Sequence, residues 1–169
     1  MPYRRKYNYK GIETLLDNVV RVIKENMEAE LVEIANEYGS EILPNFEEVL
    51  IADKDNPDFP CIVVKPEEDD ALKDNFRLAE GNIFDITIVE RQSDDLEQLT
   101  RDIMRRKKAV RNVLLNAEAN DLLLGITHLP ATWEVRGGRY TWVKVGNIFG
   151  RAVKGMKLRF SYSELIKQS

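Results

Sequence analysis

Between residues 11 and 38 apolar side chains recur at steps of three and four: Ile12, Leu15, Leu16, Val19, Val20, Ile23, Met27, Leu31 and Ile34. That spacing gathers them on one stripe of an α-helix. Arg21, Lys24, Glu25 and Glu28 occupy much of the other side. Gly39, directly after Tyr38, supplies a left-handed stop. The pattern then shortens. Val49-Leu50-Ile51 predicts a brief strand, closed by the turn chemistry of Asp53-Lys54-Asp55-Asn56-Pro57-Asp58. Cys61-Ile62-Val63-Val64 is an unbroken apolar run, which predicts a strand covered on both faces. Pro66 ends it, and Glu67-Glu68-Asp69-Asp70 follows as a solvated acidic loop.

Arg77-Leu78-Ala79 and the segment from Ile83 to Glu90 flank Glu80-Gly81-Asn82, which reads as a hairpin turn. In the second segment Phe84, Ile86 and Ile88 alternate with Asp85 and Thr87, so one face packs and the other is wet. Ser93-Asp94-Asp95 opens a second helix, with Asp94 and Glu97 spaced as a capping-box variant. Its stripe is Leu96, Leu99, Ile103, Val110 and Leu114, ending near Ala117. A β-meander follows. Arg136-Gly137-Gly138-Arg139 predicts a two-glycine hairpin turn that sets Val135 opposite Tyr140 and Trp133 opposite Trp142. Gly146-Asn147 reads as another turn. The last strand runs from Ala152 to Tyr162, with Met156, Leu158, Phe160 and Tyr162 inward and Lys157 and Arg159 outward. The expected fold class is therefore α+β: two amphipathic helices packed on a mostly antiparallel β-sheet with a terminal β-meander. Residues 1–10 read as a basic N-terminal arm able to flex, and residues 11–169 as a single α+β domain.

A length of 169 residues fits one domain. With 43% hydrophobic and 32% charged residues the composition is that of an ordinary folded chain, somewhat rich in charge. The net charge of -4 argues against nucleic acid wrapping the whole surface, though a local basic patch remains allowed. Cys61 is the sole cysteine, so an intrachain disulfide and a cysteine metal cluster are both excluded. That suits a reducing compartment. Met1 to Lys10 is basic and tyrosine-rich, unlike a secretory signal, and no run approaches the roughly 20 apolar residues of a membrane span. A cytoplasmic site of synthesis is expected.

The residue pattern offers little catalytic chemistry. His128 is the only histidine, and Cys61, with which it would form a thiol nucleophile and base, lies in a strand that reads as buried. The loop from Asp53 fails as a calcium site, because its fifth, sixth and twelfth positions are Pro57, Asp58 and Val64. Asp85 and Glu90 are five residues apart on one strand and so face opposite ways, which does not converge carboxylates on a metal. Gly137-Gly138 lacks the spacing of a phosphate-binding loop. No catalytic, cofactor-binding or metal-binding residue is assigned, and no cofactor is expected. Trp133, Tyr140 and Trp142 suit a core or a protein interface better than base stacking. Arg105-Arg106-Lys107-Lys108 is the densest basic run. Arg101, Arg105 and Lys108 fall within an arc of about 60° opposite the apolar stripe, while Lys107 lies near that stripe and must snorkel or meet another chain. Arg101, Arg105, Lys108, the acidic residues Glu67, Glu68, Asp69 and Asp70, and Trp133 and Trp142 are the candidate interface residues.

In order, the chain reads long helix, short strands, second helix, terminal meander. Carried by Ile12 to Ile34, Pro60-Cys61-Ile62-Val63-Val64, Phe84-Asp85-Ile86-Thr87-Ile88, Leu96 to Leu114 and Arg151 to Phe160, this layout resembles the tail terminator (tail completion) family of long-tailed phages. The resemblance spans nearly the whole chain and is one of arrangement. It implies a structural virion protein without catalytic residues, forming a hexameric ring that caps the tail tube, stops its polymerisation and joins tail to head. The implied partners are further copies of the chain in a homo-oligomeric ring, the tail tube protein and a neck or head-completion protein. DNA would pass through the lumen without sequence-specific binding, and no membrane is involved. The expected location is the virion tail or neck, after assembly in the host cytoplasm. The alternatives are another neck or head–tail connector protein, or a nucleic-acid-processing enzyme. The basic, aromatic segment Tyr3-Arg4-Arg5-Lys6-Tyr7-Asn8-Tyr9 has no counterpart in that layout.

Overall fold

A computed structural model describes residues 2–8, 10–54, 57–66, 79–91, 93–120, 133–134, 141–148, 151–165 and 167–168. The elements in chain order are β1 (Tyr7–Asn8), α1 (Gly11–Tyr38), β2 (Glu48–Leu50), β3 (Cys61–Pro66), β4 (Ala79–Arg91), α2 (Leu96–Ala119), β5 (Trp133–Glu134), β6 (Thr141–Ile148), β7 (Arg151–Leu165) and β8 (Lys167–Gln168). The fold is α+β, with two helices on a mixed sheet.

The first helix spans the residues its periodicity predicts. Leu15, Leu16, Val19, Ile23, Met27, Leu31 and Ile34 are buried, joined by Val22 and Ala35, while Ile12 and Val20 pack at the margin. Gly39 ends the helix at φ 58°, and two hydrogen bonds close the terminus: Ser40 N–H donates to the Ala35 carbonyl at 3.0 Å and Gly39 N–H to that of Asn36 at 3.4 Å. Together they satisfy carbonyls that lose their partners where the helix stops.

The principal sheet has the order β2-β3-β4-β7, with β5 and β6 both on the far edge of β7. Among the described residues only β2 and β3 are parallel; every other pairing is antiparallel. Cys61, Ile62, Val63 and Val64 are all buried, as an unbroken apolar run requires when both faces are covered. Ile62, Val64, Phe84, Ile86, Ile88 and Leu158 meet the buried stripes of both helices in one core. The helices run antiparallel, since Glu30 on α1 accepts from Asn112 on α2 while Glu37, two turns later, pairs with the earlier Lys108.

Two expected turns are replaced by strand. Glu80-Gly81-Asn82 lies inside β4, opposite Glu164, Ser163 and Tyr162. The 15-residue β7 supplies a continuous hydrogen-bonding partner, so Gly81 need not reverse the chain. Gly146 and Asn147 lie inside β6, opposite Val153 and Ala152, just past a register shift after Val143. One extra residue there forms a bulge, a common strand role for such a segment. The expected tryptophan pairing is also corrected, because Trp133 and Trp142 do not face each other across a hairpin. Trp133 is opposite Tyr162 and Trp142 opposite Met156, so β5 and β6 run the same way along one edge of β7. Chain direction reverses between Ile148 and Arg151 instead. Residues 135–140, including the two glycines, lie outside the described residues.

Asp85, expected to be wet, is 5% exposed, with Lys65 on β3 and Arg159 on β7 as its cross-strand neighbours. The face of the sheet away from the helices is thus covered at this point as well. The basic arm meets the end of the chain: Tyr7 and Asn8 pair antiparallel with Gln168 and Lys167.

Candidate functional site

The start of α2 is held by Asp95, whose carboxylate accepts from Gln98 N–H at 3.0 Å while its own N–H donates to Ser93 Oγ at 3.2 Å. The cap therefore sits one residue beyond the expected Asp94–Glu97 pair. Glu97 instead accepts from Arg101 one turn on, at 3.0 Å. From there the helix presents two chemically different sides.

One side bears on the end of α1. Lys108 pairs with Glu37 at 2.5 Å, and both Lys108 and Arg105 approach the Tyr38 ring, each 5.0 Å from its centre. The Glu37 hydrogen bond holds the Lys108 ammonium above the ordinary lysine range. The last turn of α1 contains no basic residue of its own. Lys108 and Arg105 therefore bring positive charge to the negative end of the α1 dipole. Of the three cations expected to form one outward face, two are engaged with α1, and Arg101 has an exposed partner in Glu97.

The second side is the core, and there the structure holds a charge in an otherwise apolar stripe. Arg106 is 1% exposed. One guanidinium nitrogen donates to the Pro44 carbonyl, another lies 3.5 Å from Glu90 Oε1, and the group stands 5.5 Å over the Phe46 ring. Among the described residues Arg106 Nε and Glu90 Oε2 have no hydrogen-bond partner. Burial pushes the Glu90 carboxyl above its ordinary range, and Arg106 opposes that shift. Burial likewise lowers Arg106, and Glu90 opposes it. Arg106 belongs to the densest basic run but is not among the candidate interface residues, and helical geometry could have set it apart. At about 100° per residue it falls between Leu99 and Val113, in the middle of the apolar stripe. A cation at such a position needs a buried anion and a carbonyl, and Glu90 and Pro44 supply them. Lys107, expected near that stripe, is half-buried.

Glu90 also lines a groove of about 300 Å³ with Phe59, Pro60, Asp95, Leu99 and Asp102. Asp85 is not part of it, and among the described residues no three acidic, histidine or cysteine side chains gather as a metal site. Cys61 is fully buried, and burial pushes its thiol up to about 11, which leaves it protonated and unreactive near neutral pH. Nearby, Glu48 accepts from Asp58 N–H at 2.8 Å and pairs with Lys54, two staples across the connection between the parallel strands. Hydrogen bonding from Lys54, then from Asp58, lowers the Glu48 carboxyl.

Glu67, Glu68, Asp69, Asp70 and His128 lie outside the described residues, as do the side chains of Trp133 and Trp142. Among the described residues no helix is long and apolar enough to cross a membrane. The chain matches no protein-family model, and no curated protein matches it.

Proposed function

We propose that this chain is a structural assembly protein of a long-tailed phage: a tail terminator that closes into a ring on the end of the tail tube and joins it to the head. The observation that carries the reading is the order of elements, a long helix, a mixed sheet, a second helix packed antiparallel on the first, and a terminal strand pair ending in the 15-residue β7. The resemblance rests on the order long helix, short strands, second helix, terminal meander, and the order of α1, β2–β4, α2 and β6–β7 is consistent with it. In this reading the ring is hexameric, its neighbours are the tail tube and a neck or head-completion protein, DNA crosses its lumen without sequence-specific contact, and the protein is not an enzyme.

Among the described residues, two buried groups of a kind that can react are otherwise engaged. The buried thiol is protonated, and the buried Glu90 is committed to Arg106. Deleting the gene from a phage that carries it tests the reading directly. Filled heads unattached beside tails of uncontrolled length are expected under electron microscopy, and tails of normal length on infectious particles would refute it. Metal-dependent DNA cleavage by the purified chain, abolished by Asp85→Ala, would overturn the non-enzymatic assignment.

A further inference from the structure

Charge is segregated between the second half of α1 and the middle of α2. From Glu25 to Glu41 the chain carries six glutamates and no lysine or arginine; from Arg101 to Arg111 it carries six cations and one acid, Asp102. Part of this difference is used inside the chain, through Glu37 with Lys108 and Glu30 with Asn112. The rest is not. Glu25, Glu28 and Glu33 are exposed on α1 and Arg111 is exposed on α2, and no ion-pair partner is found for these four among the described residues.

The outer side of α2 has more than charge. Met104 and Leu115 are 49% and 46% exposed. At about 100° per residue they share an arc of about 40° with Arg111, which lies between them along the helix axis, on the part of the helix that neither the core stripe nor the α1-facing residues Arg105, Lys108 and Asn112 use. An arginine between exposed apolar side chains is the composition of an interface centre rather than of a solvated face. On α1 the corresponding outer arc presents Glu25 and Glu28 beside Ala29 and the half-buried Val32, with Arg21 one turn before Glu25. Glu25 and Glu28 on the one arc complement Arg111 on the other, and each arc carries apolar side chains beside its charges.

We infer that the outer face of α2, centred on Arg111, docks against the outer face of α1, centred on Glu25 and Glu28, of a second copy of this chain. The contact repeats between chains the basic-to-acidic pairing that joins α2 to α1 within one. Because it uses two different patches it is heterologous, and each subunit keeps one patch of either kind available, which extends assembly until a ring closes. This names the subunit contact of the proposed ring, and it rests on that reading only for its biological setting.

The test is self-association of the full chain, followed by sedimentation velocity at low and high salt. The wild-type chain should associate, more weakly as salt screens the exposed charges. Arg111→Glu, and separately Glu25→Lys with Glu28→Lys, should each weaken association by about tenfold or more by setting like charges together. An equimolar mixture of the two variants should recover it, because each then offers the other complementary faces. Circular dichroism spectra matching wild type keep misfolding from imitating the loss. A wild-type chain that stays monomeric at about millimolar concentration and low salt, variants that associate as wild type does, or a mixture that fails to recover would each overturn the inference. Rings that persist in the variants would discard this contact and leave the tail reading standing. Normal tails after gene deletion would discard the tail reading and leave the contact standing.

Discussion

The two helices cover the same sheet by different means. Every fully buried side chain that α1 contributes is apolar, whereas the middle of the buried α2 stripe is an arginine. An apolar stripe tolerates small shifts along the helix axis, since its contacts are non-directional. A guanidinium tied to the Pro44 carbonyl and the Glu90 carboxylate does not. Arg106 thus links α2 to the 40–47 connection on one side and to the end of β4 on the other, fixing the helix at the place where three parts of the chain converge. Two amphipathic helices of similar hydrophobic pattern can therefore differ in what their burial specifies: α1 supplies core, and α2 supplies core and register.

The strongest way to break this comparison is Arg106→Ala. It leaves the Glu90 carboxylate buried without its cation and should destabilise the chain by about 3–5 kcal/mol in urea unfolding. Arg106→Met combined with Glu90→Leu removes both charges and should recover most of that loss. A cost below about 1 kcal/mol for the single variant would show that the pair does not anchor α2. On α1, Met27→Ala should cost about 3 kcal/mol through transfer and cavity terms alone, and no second-site charge change should rescue it.

The helix ends sharpen the contrast at lower energy. Asp95→Ala should cost about 1 kcal/mol by leaving the Gln98 N–H uncapped. Gly39→Ala should cost a similar amount, about 1–2 kcal/mol, because a Cβ there meets nothing within 4 Å and only the positive φ opposes it. A Gly39→Ala penalty much larger than that would point to crowding the structure does not contain.

The smallest effect is a pH slope. Burial raises the folded Glu90 pKa above its unfolded value, so the folded state holds that proton more tightly. The stability this group contributes is fully present below the unfolded pKa and is lost as pH rises through the folded one. Wild type should therefore lose stability relative to Glu90→Gln as pH rises above about 4.3, the ordinary glutamate value, and the difference should level off once the folded pKa is passed. A difference that instead grows in favour of wild type across that window would mean that Arg106 outweighs burial.

Local pattern was sufficient wherever a segment's own residues set its structure. The span of α1, its glycine stop, the doubly buried β3 and the packing of Phe84, Ile86 and Ile88 on one face followed from residues within a few positions of one another. They were legible because periodicity and the steric freedom of glycine act over short stretches of chain. Other features depended on partners far away in sequence. Whether Gly81 and Gly146 turn or extend rested on β7, which offers a ladder to both. Whether Asp85 is wet rested on what covers the second face of the sheet, and whether Arg105 and Lys108 point outward rested on the end of α1. The place of Arg106 was legible on the helical wheel, but its meaning was not. A cation in an apolar stripe is acceptable only if a carbonyl and a carboxylate arrive from elsewhere, and chain folding alone brings Pro44 and Glu90 to it.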